Sequence, residues 1–140
     1  MDKKELNKDF ILDRIVEIEQ RLSQIKQLKN INLEDFLKDD IRKDALKYRL
    51  LSLIEGLVSL CNHIISRAEV SPPSTYADCF RKLTELGISS EALVEEIVKM
   101  IRFRNILVHQ YWVIDDEEIY EIAQIDHSFV NEFLKDIKQL

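Results

Sequence analysis

The stretch DIRKDALKYRLLSLIEGLVSLCNHII, Asp40 to Ile65, decides the fold. Ala45, Leu46, Leu50, Leu53, Ile54, Leu57, Val58, Cys61, Ile64 and Ile65 recur at three- and four-residue spacing, the period of an α-helix. The stripe is too broad for a helix that buries one side only, so this helix is expected at the centre of the fold. Pro72-Pro73 stops it, because proline has no amide hydrogen and disfavours helical geometry in the residue before it.

The pattern continues on both sides. Upstream, Ile11, Ile15, Ile18, Leu22 and Ile25 give a first helix with a narrow apolar seam. Downstream, Tyr76 to Leu86 reads as a short helix closed by Gly87 at the C′ position. Ser89 and Ser90 can cap the next helix, which carries Leu93, Ile97, Met100 and Ile101 towards Arg104. Asp115 as cap with Glu118 at N3 opens a last helix burying Ile119, Ile122, Phe129, Phe133 and Ile137. Two Gly and two Pro in 140 residues are too few for a many-turned β protein. The expectation is an all-α, antiparallel four- to five-helix bundle forming a single domain over residues 1–140.

A net charge of −6 argues against a protein that coats nucleic acid. The charge is uneven, however. Between Lys99 and Tyr111 the formal charges are Lys99, Arg102 and Arg104, all positive. Between Trp112 and Asp126 they are Asp115, Asp116, Glu117, Glu118, Glu121 and Asp126, all negative. A local anion site is possible in such a chain. The acidic run is equally readable as a solvated helix start. Cys61 and Cys79 suit buried free thiols better than a zinc site or a disulfide framework. The charged start Met1-Asp2-Lys3-Lys4-Glu5 and the lack of an apolar run of ~20 residues imply a cytoplasmic protein without a signal or membrane span.

The chemistry concentrates in Arg104-Asn105-Ile106-Leu107-Val108-His109-Gln110-Tyr111. A guanidinium fork can clamp a phosphate, and an imidazole moves protons near neutral pH. Together they suit RNA cleavage without a metal. The imidazole takes the ribose 2′ proton, the 2′ oxygen attacks phosphorus, and Arg104 stabilises the added charge. Asn105 could orient the phosphate or the ring. At ~100° per residue, His109 lies roughly 140° around an ideal helix from Arg104, whereas Tyr111 returns to the Arg104 face. A π-bulge, a helix unwinding near His109 or a two-fold dimer would reunite Arg104 and His109; the last two together are expected. The competing reading is structural: both side chains favour the negative end of a helix dipole.

Elsewhere the residues read as structural. His63 is expected as a satisfied, half-buried histidine and His127 as a surface one. Arg42 and Asp44 are expected as solvated helix charges, and Tyr76 and Asp78 as capping and packing residues. No histidine pair has metal-ligand spacing.

The string from Arg104 to Asp116 strongly resembles the signature of the HepT-like toxins of the HEPN superfamily. Ala45 to Leu50, Cys61 to Ile65 and Pro72 to Phe80 support it, so the likeness spans roughly Asp40 to Tyr120. The resemblance implies a HEPN-like helical fold and a symmetric homodimer. It implies a metal-independent endoribonuclease with no cofactor, Arg104 and His109 meeting in a cleft at the dimer interface. It further implies a toxin–antitoxin pair, in which a small nucleotidyltransferase, usually called MntA, transfers AMP onto the tyrosine matching Tyr111. The RNA substrate, tRNA or mRNA, is left open. The alternative is a non-catalytic helical adaptor, or a nucleotide-binding partner of a nucleotidyltransferase.

Overall fold

The computed structural model describes residues 6–68, 70–109 and 113–140. The described residues form helices and no strands. They are α1 (Lys8–Leu28), α2 (Leu33–Lys38), α3 (Asp40–Ser66), α4 (Tyr76–Glu85), α5 (Glu91–His109), α6 (Asp116–Gln124) and α7 (Ser128–Lys138).

The helix starts follow the expected chemistry. Asn7, Asn32, Asp39, Thr75 and Ser90 each accept a backbone N–H of the following first turn. Asp115 caps α6 as expected, but it accepts from Glu117 N at 3.0 Å. Gly87 ends α4 with φ of 72°, as its position predicted. Ile88 N donates to Leu83 O at 2.9 Å and Gly87 N to Thr84 O at 3.0 Å, the paired bonds of a Schellman motif.

Helix α3 is the central element. Leu46, Leu50, Leu53, Leu57, Leu60, Cys61 and Ile64 are at most 1% exposed, and α3 packs against α1, α2, α4, α5 and α6. Asn7 meets His63, Arg21 meets Ser52, and Arg42 reaches the Leu28 carbonyl, so α1 runs antiparallel to α3. Arg81–Glu95 and Tyr76–Arg104 pair α4 with α5 in the same sense. Gly56 lets α1 and α3 approach closely: a Cβ there would lie 3.0 Å from Ile18 Cγ1. Cys61 and Cys79 are free and buried, their sulfurs 3.1 Å apart where α3 meets α4. The expectation that nothing reaches membrane-spanning length holds only for uninterrupted runs. By length and composition α3 qualifies, with a mean hydropathy of 1.2 over its apolar window, 56% of which is buried in the protein.

The helix count corrects the four- to five-helix expectation in two places. Helix α2, six residues long, is too short to display a period, yet its Phe36 is fully buried. The expected last helix is two helices. Asp126 lies seven residues after Ile119 and would fall on the buried stripe of a continuous helix. The chain breaks there instead: Asp126 is exposed and accepts Ser128 N at 2.9 Å, and Phe129 is only partly buried.

His127 is the second correction. It is not a surface residue but 8% exposed, with Phe129 edge-on to its ring. Neither ring nitrogen makes a hydrogen bond of good geometry among the described residues. Burial, with Lys29 nearby, lowers its pKa to about 4; the Ile122 carbonyl and Asp126 oppose this only in part. Below the ordinary value of 6.5 the unfolded chain takes a proton that the folded chain refuses until about pH 4. Stability contributed by the neutral ring is therefore complete above pH 6.5 and is lost as pH falls towards 4. Urea unfolding at pH 5 should give a stability about 2 kcal/mol below that at pH 7. His127→Leu should remove most of that difference; an unchanged slope would place its origin elsewhere. His63 is satisfied as expected but more than half-buried, at 8% exposed: its Nε2 accepts Asn7 N at 3.1 Å and its ring stacks on Phe10 at 4.6 Å. Burial first, then Arg67, holds its pKa below the usual histidine range.

Candidate functional site

Helix α5 carries the motif. Val94, Ile97, Val98, Ile101 and Leu107 bury one side of it, leaving Arg104 at the edge of the core and Asn105, Val108 and His109 exposed. The helix stays α-helical from Arg104 through His109. No π-bulge or break lies between the two residues; the expected unwinding near His109 falls at the end of α5 and on residues 110–112, which lie outside the described residues. The two side chains therefore point roughly 140° apart, about 7.5 Å apart along the axis, and do not converge within one chain. Tyr111 lies outside the described residues.

Arg104 is held from two directions. Its Nε donates to Glu55 Oε1 on α3, and its guanidinium lies 4.8 Å from the centre of the Tyr76 ring at the start of α4. The Arg104 side chain is 21% exposed and that of Glu55 45% exposed, so the pair is screened by water and contributes little to stability. Its value is geometric. With Nε occupied, the two terminal nitrogens of the fork remain as donors for an oxyanion.

Glu55 and Tyr76 escaped the reading of the sequence as site residues. A signal for Glu55 existed: it is the one formal charge between Arg49 and Arg67, in a helix otherwise apolar there. A lone carboxylate in such a setting is a candidate partner for a cation on a neighbouring helix. Tyr76 packs as expected, with its ring against the Arg104 guanidinium. Thr75 supplies the cap, while Tyr76 is 39% exposed beneath Arg104. Asp78 does cap: its Oδ2 accepts Ser74 N at 2.9 Å.

Two clefts flank Tyr76. One, of about 240 Å³, is lined by Thr75, Tyr76, Arg81, Val98, Arg102 and Asn105, among others. The other, of about 380 Å³, is lined by Asn62, Pro73, Ser74, Thr75 and Tyr76. On α3, Ile41, Tyr48, Glu55 and Asn62 stand seven residues apart and share nearly one face. Ile41 is 84% and Tyr48 54% exposed; Val108 on α5 is exposed as well.

The acidic run is structural in part. Asp116 pairs with Lys43 at 3.3 Å and Lys47 at 3.0 Å, tying α6 to α3. Burial works to raise its pKa, but the hydrogen bonds from Lys47 and Lys43 prevail and hold it below the usual carboxylate value. Arg42 pairs with Asp39 and donates to the Leu28 carbonyl at 3.0 Å, away from the site; Asp44 is exposed. No cluster of metal-ligating residues occurs among the described residues.

Glu55→Ala should lower the rate of any phosphate chemistry at Arg104 roughly tenfold, because an unheld guanidinium samples many orientations. Glu55→Gln, which can still accept from Nε, should recover most of it. Equal activity in all three proteins, measured as kcat, would remove Glu55 from the site.

Residues 18–137 match the model of a family described as Ribonuclease HepT-like. The chain is 24% identical over 130 residues to the mRNA nuclease HepT of Shewanella oneidensis, covering 93% of this chain and 97% of that protein. It is 29% identical over 112 residues to the tRNA nuclease HepT of Aphanizomenon flos-aquae, covering 79% and 76%. Its fold superposes with a TM-score of 0.81 on a tri-AMPylated Shewanella oneidensis HEPN toxin solved in complex with an MNT antitoxin, at 23% identity over 94% of this chain and 98% of that one.

Proposed function

We propose, from the premise that the chain belongs to the Ribonuclease HepT-like family, that it is a metal-independent endoribonuclease, the toxin of a toxin–antitoxin pair. The observation that carries the proposal is Arg104, held by Glu55 through Nε with its side chain still 21% exposed, on the same helix as an exposed His109. The relatives named as mRNA and tRNA nucleases support RNA as the substrate.

The single domain acts as a symmetric homodimer. The straight α5 keeps Arg104 and His109 apart in one chain, so a second copy must bring them to one phosphate. Exposed Tyr48 and Ile41, on the Glu55 face of α3, and exposed Val108, one turn after Arg104 on α5, supply apolar surface for that contact. In the shared cleft one His109 takes the 2′-hydroxyl proton. The 2′ oxygen forms a bond to phosphorus, and the bond to the 5′ oxygen breaks. The partner's His109 protonates the leaving 5′ oxygen, and Arg104 neutralises the phosphoryl oxygens. Asn105, exposed beside Arg104, orients the phosphate. The products carry a 2′,3′-cyclic phosphate and a 5′-hydroxyl, and DNA is inert because it lacks the nucleophile. The protein works in the cytoplasm, where an MntA-like nucleotidyltransferase neutralises it by adding AMP to Tyr111; the AMPylated toxin of similar fold supports this.

The test is incubation of the purified, unmodified protein with cellular RNA in excess EDTA, followed by mapping of fragment ends. Cyclic phosphate ends made by the parent protein agree with the proposal. Intact RNA, with the mass confirming an unmodified Tyr111, overturns it.

A further inference from the structure

Tyr76 stands at the first position of α4, 39% exposed, with the Arg104 guanidinium against its ring. Thr75 and Asp78 carry out the capping of this helix, so the start of α4 does not need an aromatic side chain there. The 380 Å³ cleft beside the ring is of the size that takes small planar ligands. Asn62 lines the same cleft; its Oδ1 accepts the Cys79 thiol at 3.3 Å, which leaves its amino group as a donor. A flat π-face, a neighbouring amide donor and a cation on the adjoining wall are the three parts that hold a single nucleotide.

Resting on the ribonuclease reading above, we propose that Tyr76 is the base-stacking residue of the RNA site. A nucleobase next to the cleaved phosphate leaves the RNA stack and lies against Tyr76 in the cleft with Asn62, Pro73, Ser74 and Thr75. Its phosphate then reaches the terminal nitrogens of Arg104, whose Nε is taken by Glu55. Because stacking accepts any base, Tyr76 selects for an unpaired nucleotide rather than for a sequence. Duplex RNA, whose bases cannot be splayed without loss of pairing, is a poor substrate.

The test uses the full chain and a single-stranded oligoribonucleotide whose cleavage site has been mapped, alongside versions abasic at either nucleotide adjoining the cut. Tyr76→Ala should raise KM roughly 10- to 100-fold with little change in kcat, and Tyr76→Phe should restore it. Removing the stacked base should cost the parent a similar factor and cost Tyr76→Ala almost nothing. That non-additivity separates stacking from a mere prop for Arg104, since a prop would lose activity whether or not the base is present. Additive losses, or an unchanged KM in Tyr76→Ala, overturn the stacking role and leave the ribonuclease reading standing. A parent protein that cleaves no RNA at all overturns both.

Discussion

His109→Ala is expected to lower RNA cleavage by about a hundredfold to ten-thousandfold, the contribution of a positioned general acid or base. The fold should not notice. His109 is exposed in the last turn of α5, and surface positions of this kind change stability by about 0.5 kcal/mol or less. Arg104→Lys should be nearly as damaging as Arg104→Ala, because an ammonium is a compact point charge on a flexible stem and lacks the planar fork that holds Glu55 through Nε and clamps a phosphate with its far edge. Circular dichroism and fragment-end mapping in EDTA together report both halves of this expectation. Mixed dimers add a sharper one. If one copy's imidazole is the base and the other's the acid, a dimer with one intact and one alanine-substituted His109 should be almost as inactive as the double variant. Half the parent activity in purified mixed dimers would instead assign each site its own complete set.

The second large effect concerns neutralisation. Tyr111→Phe should cleave RNA at the parent rate, yet remain toxic when the nucleotidyltransferase is co-expressed, because the phenol proposed to accept AMP is gone. On a continued helix Tyr111 is seven residues from Arg104 and returns to its face. An adenylate there adds negative charge and bulk beside the guanidinium and competes with the RNA phosphate. Intact-mass measurement after co-expression, with a growth assay, checks both parts. Neutralised but unmodified Tyr111→Phe protein would show that the antitoxin works by binding alone.

Much of this was legible in the sequence where periodicity runs long. The stripes of α1, α3 and α5, the Gly87 terminus and the Asp115 cap follow from local chemistry, and the structure has them in place. What escaped the sequence depends on meetings between distant residues. Phe36 reveals the importance of α2 only once α3 and α6 close over it. His127 was read as surface because polar neighbours surround it in sequence, while the break at Asp126 turns it inward. For the site, the string from Arg104 to Tyr111 stood out, but its partners on α3 and α4 did not. Tyr76 is one of four tyrosines in the chain, and nothing local distinguishes it until α4 lies antiparallel along α5.

Gly56 is the neighbour of Glu55, and among the described residues a Cβ there would meet Ile18 of α1. The two helices are thus gauged against each other near the level of the Arg104 pair, with the Ile18 side chain packed directly on the α3 backbone at Gly56. A methyl group inserted at Gly56 would press on Ile18, which must give by a few tenths of an ångström, and whatever part of that Ile18 does not give shifts α3. Glu55 and Asn62 would move with it, carrying the anchor of Arg104 and one wall of the Tyr76 cleft. The active face is in this sense calibrated from behind. A screen for loss of toxicity should therefore return substitutions at Gly56 and Ile18, residues that no RNA could touch, among those that still fold.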